Sequence, residues 1–287
     1  MIGTITVDET DESDPNVDAN YSLSFDGVND YVEIADSDIL DGMSQLTIQF
    51  HLKWDSYPFE THGKGVQILE KWQTADANAT GSYSFYSHHD ADMFTFMVQT
   101  ENNQLGVNIG LSTNMSIGTW YHIVGVYDGE NSYLYLNGDL KGQTEMSGSV
   151  ATSSYSLEIA NQNNNNTTFF DGIIDEISLW DIAHTQDQIQ NSVYTELNGG
   201  ETGLIGYWNF NQGEGTTLND LSGNGNHGTI YGATWSTDVP NLETITEFQP
   251  QTNEELQAAV DLWVSDNATA LSTYGEINNW DVSLISD

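Results

Sequence analysis

The chain has no arginine and no cysteine, and its only bases are Lys53, Lys64, Lys71 and Lys141. Against these four stand 43 acids, giving a formal net charge of -39. Charged residues are nevertheless only 16% of the chain, below the roughly 25% usual for soluble domains. The acidity therefore comes from missing bases more than from added acids. Without lysine or arginine clusters to meet phosphate, nucleic acid, nucleotides and anionic membranes are excluded as partners. The absence of cysteine excludes disulfide staples, thiolate zinc sites and thiol nucleophiles. No apolar run reaches the length of about 18 residues that a membrane-inserted helix needs. The start, Met1-Ile-Gly-Thr-Ile-Thr-Val7, has no basic region and is not a signal peptide. Met1 reads as an introduced start or as a cut made inside a longer protein.

What is present is a β pattern. Leu46, Ile48, Phe50, Leu52 and Trp54 alternate with Thr47, Gln49, His51 and Lys53, the signature of a half-buried antiparallel strand. Further strands are expected at Leu23 to Phe25, Tyr31 to Ile34, Tyr83 to Tyr86, Phe94 to Val98, Gly106 to Gly110, Trp120 to Tyr127, Tyr133 to Leu136, Ser156 to Ala160, Ile173 to Trp180 and Leu204 to Phe210. Asp128-Gly129 and Asn137-Gly138 predict two-residue hairpin turns with positive φ. Many short strands with almost no helical periodicity predict an all-β fold, a two-sheet antiparallel jelly-roll sandwich. One short helix is expected after Thr185-Gln-Asp-Gln188, a capping box followed by Ile189 and Val193.

Three segments follow from this pattern: an acidic linker over residues 1–19, the jelly roll over 20–238, and a different texture over 239–287. In the last, Thr252-Asn-Glu-Glu255 caps a helix with Leu256, Val260 and Trp263 on one stripe. The segment is too short to hold a core alone and reads as the start of a second module.

Alternation along Phe170 to Asp181 puts Asp175 on one face with Ile173, Ile177 and Leu179, and so toward the core. A buried carboxylate costs several kcal/mol, roughly, unless a cation or several donors meet it. With so few bases the expected partner is a metal, and in an oxygen-rich chain that metal is calcium, Ca2+. Two Gly-containing turns offer more oxygen ligands, Asp26, Asn29 and Asp30 in one and Asp220, Asn224 and Asn226 in the other. The same residues could instead bond their own main chain.

Four runs, Ser22-Leu-Ser-Phe-Asp-Gly-Val-Asn-Asp-Tyr-Val-Glu-Ile34, Gly118-Thr-Trp-Tyr-His-Ile-Val-Gly-Val-Tyr-Asp-Gly129, Leu134-Tyr-Leu-Asn-Gly138 and Phe170-Asp-Gly-Ile-Ile-Asp-Glu-Ile-Ser-Leu-Trp-Asp181, resemble the laminin-G-like, concanavalin A-like lectin/glucanase family. Gly203-Leu-Ile-Gly-Tyr-Trp-Asn-Phe210 and Asp220-Leu-Ser-Gly-Asn-Gly-Asn-His-Gly228 complete its bacterial three-part pattern. The resemblance implies a curved jelly roll, often carrying structural calcium, of the kind common in secreted or surface-anchored bacterial proteins. The tail, Trp280-Asp-Val-Ser283, is similar to the start of a bacterial surface-protein repeat module.

Sugars are held by an aromatic face together with planar amides and carboxylates. Trp72, Tyr86, His88, Asp90, Asn161 and Gln162 form such a set; alternatively, Trp72 is a strand-end core residue and the Asn-rich loop is merely solvated. The acidic triplet of the catalytic glucanases is absent around Asp175-Glu176, and no G-x-S-x-G run exists, so no catalysis is expected. These observations predict a non-catalytic, calcium-stabilised adhesin domain of a large secreted bacterial surface protein. Its partners would be a glycan or cell-surface ligand and the neighbouring domains of the same long chain. A structural spacer of a surface fibre, or an accessory domain of a secreted hydrolase, are the alternatives. An extracellular, cell-surface setting suits the acidic surface, and salt-rich seawater would screen it further.

Overall fold

The alternating run Leu46–Trp54 forms β3 and sends Leu46, Ile48, Phe50, Leu52 and Trp54 into the main core. Around it the computed structural model describes residues 20–57, 65–73, 80–88, 92–161, 169–193, 195–241, 249–250, 252–265, 270, 274, 280, 282 and 285. One sheet runs β10 (Asp139–Glu145), β9 (Asn131–Leu136), β8 (Trp120–Tyr127), β3, β12 (Asp171–Trp180), β1 (Ser22–Asp26) and β16 (Thr234–Ser236), with β13 (Leu204–Trp208) also on β12. The other runs β14 (Thr217–Leu218), β15 (Gly228–Tyr231), β2 (Tyr31–Ile34), β11 (Leu157–Ile159), β4 (Gln67–Gln73), β5 (Thr80–Ser87), β6 (Phe94–Gln99) and β7 (Gln104–Ile109). Every named pairing is antiparallel, and the two sheets make the expected jelly-roll sandwich.

The sheets meet through aromatic rings. Phe50 of β3 packs edge-on against Phe85 of β5 at 4.9 Å, and Phe85 stacks on Phe96 at 4.6 Å. Gly125 of β8 leaves room for that stack, since a methyl at its Cβ position would stand 2.6 Å from the Phe85 ring and 2.7 Å from that of Phe96.

The strict alternation expected for β12 is broken by a bulge. Its register against β3 slips between Asp175 and Ser178, and Glu176 takes a left-handed φ of 53°. Ile174, Ile177 and Leu179 therefore all join the core, whereas Ile173 and Asp175 do not. Asp175 faces away from the core beside His51 of β3, contrary to the simple period-two reading. It is fully buried all the same, because the segment after β12 folds back over this outer face. The first helix, α1, is the single turn Leu111–Asn114; the segment over this face carries α2 (Gln186–Ser192), whose capping box forms as expected from Thr185 and Gln188. Ile189 packs with Val124, Val126 and Tyr135, the Val193 carbonyl meets Nε2 of His51 at 3.0 Å, and Ser192 donates to Gln49 at 2.9 Å.

Asn137 and Gly138 both have positive φ, as a two-residue hairpin requires. At Asp128 the turn is one residue longer: only Gly129 is left-handed, and the Asp128 carboxylate accepts from the N–H groups of Glu130 and Asn131 at 2.8 and 2.7 Å. The C-terminal helix α3 (Asn253–Ser265) opens at Thr252 as expected, with the Thr252 hydroxyl accepting from Glu255 N–H at 3.1 Å. Trp280 packs edge-on to Trp263 at 5.9 Å, while Asp281 and Ser283 of the Trp-Asp-Val-Ser run lie outside the described residues.

Lys71 of β4 is the one fully buried base among the described residues. Its ammonium pairs with Asp36 and with Asp41 at 3.1 Å, and donates to the carbonyls of Ser153 and Tyr155 at 3.1 and 2.7 Å. Two loops at one end of the sandwich are thereby tied to the centre of the second sheet.

Gly125→Ala is expected to lower stability by about 1–3 kcal/mol through overpacking, read as a shifted urea midpoint with unchanged slope. A pH dependence follows from the covered face. Burial raises the Glu176 carboxyl to about 8, partly opposed by the hydroxyl of Tyr207, and raises Asp175 in the same sense. The folded protein thus holds protons that the unfolded chain releases, so this stability is present at low pH and is lost as pH rises toward 8. Glu176→Gln keeps the Tyr207 bond and should flatten the decline in melting temperature between pH 5 and pH 8, a range set by that printed value. An unchanged slope would show that Glu176 does not titrate in this way.

Candidate functional site

The residues expected to hold calcium fall in three separate places. Asp26, Asn29 and Asp30 occupy the turn between β1 and β2, at the sandwich end where β12 begins; Asp26 lies opposite Asp171 in register. The Asp26 carboxylate accepts from Val28 N–H at 2.9 Å and that of Asp30 from Asp26 N–H at 3.0 Å. Burial raises the Asp30 carboxyl, while the Asp26 amide lowers it and the Asp26 charge raises it further. Gly27 turns the chain here with a φ of 72°.

Asp220, Asn224 and Asn226 lie at the opposite end, between β14 and β15. The Asp220 carboxylate is met by the N–H groups of Tyr207, Ser222 and Asn226 at 3.0, 2.9 and 2.8 Å. Asn224 and Asn226 each donate to the Ile205 carbonyl at 3.2 Å. The loop therefore bonds its own main chain and that of β13, the alternative that the residue types allowed.

Asp175 joins neither turn. It stands on the covered outer face in a row with His51 and His122, directly opposite one another on β12, β3 and β8. Its Oδ1 accepts from Glu176 N–H at 2.9 Å, and Oδ2 is buried without a hydrogen-bond partner. Burial pushes His51 down to about 4 and His122 well below the usual imidazole range, so both rings are neutral at pH 7. Among the described residues, no three His, Asp or Glu side chains are arranged to hold a metal ion.

The ligand candidates among the described residues lie on the second sheet or just beyond the ends of its strands. Tyr83 and Phe85 point inward, so Ser84 and Tyr86 between and after them face outward. Register extends this outer face into two rows. In one, Gln67, Tyr86, Thr95 and Asn108 are neighbours across β4, β5, β6 and β7. His88 lies beside the half-buried Tyr86 with ring centroids 4.9 Å apart, and its Nε2 meets Thr95, whose hydroxyl bonds Asn108 at 2.6 Å. In the other row Glu33, Glu158 and Glu70 are direct partners across β2, β11 and β4. Ala160, with a left-handed φ of 68°, turns Asn161 back so that its amide donates to Glu158 at 2.9 Å.

Tyr86, His88 and Asn161 are thus brought to one face. Trp72 is only 2% exposed, with its indole laid over Gly81, and presents no ring face to a ligand. Asp90 and Gln162 lie outside the described residues. Glu33, Glu158, Thr95 and Asn108 were not anticipated, although each is a polar position alternating with core residues in Tyr-Val-Glu-Ile, Leu-Glu-Ile, Phe-Thr-Phe and Val-Asn-Ile. A stacked pair, Tyr31 and Tyr231 at 4.5 Å, flanks the face on β2 and β15.

Comparison with known proteins agrees with this architecture. A carbohydrate-binding candidate from Bacteroides ovatus superposes with a TM-score of 0.61 at 17% identity, covering 77% of this chain and 61% of its own. A pentraxin from Limulus polyphemus aligns at 18% identity and TM-score 0.45, over 61% of this chain and 82% of its own. Domains LG4-5 of the mouse laminin α1 chain align at 14% and 0.43, over 56% and 41%. At such identities the likeness concerns the fold, and the chain spans less than two thirds of the length of the Bacteroides protein. No curated protein sequence matches. Residues 26–190, more than half of the chain, match the profile described as the concanavalin A-like lectin/glucanases superfamily, and the chain belongs to that family.

Proposed function

We propose that this domain is a non-catalytic binding module of a secreted bacterial surface protein, and that it holds a glycan or cell-surface ligand on the outer face of its second sheet. The observation that carries this reading is the convergence of Tyr86, His88, Thr95, Asn108 and Asn161 on one face. An aromatic ring beside hydroxyl and amide groups is the combination that meets both the C–H face and the hydroxyls of a sugar. The carbohydrate assignment of the Bacteroides protein supports the same direction. The backbone of Tyr86, Thr95 and Asn108 is set by sheet hydrogen bonds, so little ordering entropy would be lost there at contact.

Calcium is part of the proposal. The turn of Asp26, Asn29 and Asp30, with Asp171 opposite, offers the hard oxygens that this ion takes. The Asp220 loop already satisfies its carboxylate with main-chain N–H groups. An ion at the first turn would join the end of β1 to the start of β12 and stiffen the end of the sandwich where Asn161 also lies.

Two measurements test the reading. Tyr86→Ala should weaken glycan binding by about tenfold, or roughly 1.4 kcal/mol, on a glycan array and by titration calorimetry, without lowering the melting temperature comparably. Equal affinity in the variant would remove this face from consideration. Excess chelator should lower the melting temperature, calcium should restore it, and Asp30→Asn should abolish the calcium response; identical melting with and without chelator would overturn the calcium assignment.

A further inference from the structure

The chain enters and leaves the sandwich at one point. Ser22, at the start of β1, is the register partner of Ser236, at the end of β16, and the ladder between the two strands is three pairs long. β16 stands at the end of its sheet's strand order. Because the strands are antiparallel, tension applied through the flanking chain draws Ser22 and Ser236 apart from the same end. Such a pull opens a ladder one hydrogen bond at a time, and three pairs resist it weakly.

Two residues past β16 the chain has a second attachment. The Asp238 carboxylate pairs with Lys53 of β3 and accepts from Nε1 of Trp120 of β8 at 3.0 Å, and its carbonyl accepts from the Ser22 hydroxyl of β1 at 2.7 Å. The Asp238 N–H bonds Ser236 at 3.0 Å, closing the turn that leads there. The Lys53 ammonium also lies 5.7 Å from the centre of the Trp120 ring, so the three side chains form one unit. On the entry side, Tyr21 N–H bonds Asn211 at 2.9 Å.

The use of Lys53 here is telling in a chain of four bases. Lys71 is sealed inside, and Lys141 meets its near neighbour Asp139. Lys53 instead reaches a partner 185 residues away in sequence. Asp55 also feels this ammonium, yet the ion pair is made with Asp238. Half exposed as Asp238 is, the pair adds little to equilibrium stability. Its placement matters more than its strength: Lys53 lies on β3, which holds β8 through eight register pairs, against the three of β1 and β16.

We propose that Asp238, Lys53 and Trp120 form a mechanical clasp, through which tension in the chain leaving the sandwich passes into β3 and β8 and bypasses the short β16 ladder until the clasp parts. Leu23, Leu52 and Trp54 point into the core, so Ser22 and Lys53 lie on the outer face of the first sheet. The pull is thereby kept away from Tyr86 and Asn108 on the outer face of the second. The clasp stands independently of what that second face binds.

Optical tweezers with handles at the two ends of the 287-residue chain test this at constant force. Unfolding of the jelly roll is recognised by a contour release of about 700 Å. Asp238→Asn keeps an acceptor for Trp120 but loses the charge, and is expected to unfold at least tenfold faster than the parent. Lys53→Gln should do the same, and the double variant should unfold no faster than either single one, since both remove one bond. Urea midpoints of the variants should stay near that of the parent.

A second pulling axis separates tension from general stability. The chain has no cysteine, so handles on Glu101→Cys and Glu214→Cys, both at exposed positions, load the sandwich without its exit segment. On that axis Asp238→Asn should unfold at the parent's rate. Equal lifetimes of parent and variant on the terminal axis would overturn the clasp. So would the same acceleration on both axes, which would make Asp238 a stabiliser of the whole domain. If Asp238→Asn does not fold, Trp120→Phe, which keeps the ring and loses Nε1–H, carries the same two-axis comparison with the same outcomes.

Discussion

Scarcity of positive charge is the constraint on which the rest of this structure depends. Lys71 is its most concentrated expression: one ammonium serves two carboxylates and two carbonyls under the second sheet. Elsewhere the acids find other partners. Asp220 takes three main-chain N–H groups, Asp128 takes two from its own turn, and Asp30 takes one. At Asp175, Glu176 and Glu158 the donors present, the Glu176 N–H, the Tyr207 hydroxyl and the Asn161 amide, do not offset burial, which pushes each carboxyl up toward its neutral form.

The two outer faces of the sandwich are treated differently. Over the first sheet, the return from β12 to β13 lays α2 and its flanks onto β3, β8 and β12, burying His51, His122, Asp175 and Glu176. Over the second sheet, Tyr86, His88 and Glu33 retain partial exposure. The second sheet is therefore the one whose outer face stays partly open, because the first has spent its outer face on intramolecular packing. The same asymmetry explains why the acids at Asp175 and Glu176 differ in consequence from those at Glu33 and Glu158. The former are sealed under a helix, and the latter stand beside a partly open aromatic row.

Much of the fold was legible in local pattern. The clean alternation of β3, the Asn137-Gly138 turn and the Thr185 capping box all form as their residues dictate. Strands whose signal depends on neighbours were not legible. β4 reads Gln-Ile-Leu-Glu-Lys-Trp-Gln, with bulges at two points and a buried lysine, and β10 is a polar edge of Asp, Leu, Lys, Gly, Gln, Thr and Glu. Of the candidate site, Tyr86, His88 and Asn161 were visible as aromatic and amide types near loops. Their partners Glu33, Glu158, Thr95 and Asn108 were hidden as ordinary outward positions, since register alone makes them neighbours.

The sequence by itself determined the class of fold, the absence of thiol chemistry, and the need for buried acids to find unusual partners. Those follow from composition and from periodicity, which are properties of single segments. Only the tertiary structure decided that Asp175 turns away from the core, that the two Asp-rich turns lie at opposite ends, and that Trp72 is sealed over Gly81. Each depends on a bulge, a crossover or a strand order. A one-residue shift in a strand reverses every side chain after it, and no local pattern records where such a shift occurs.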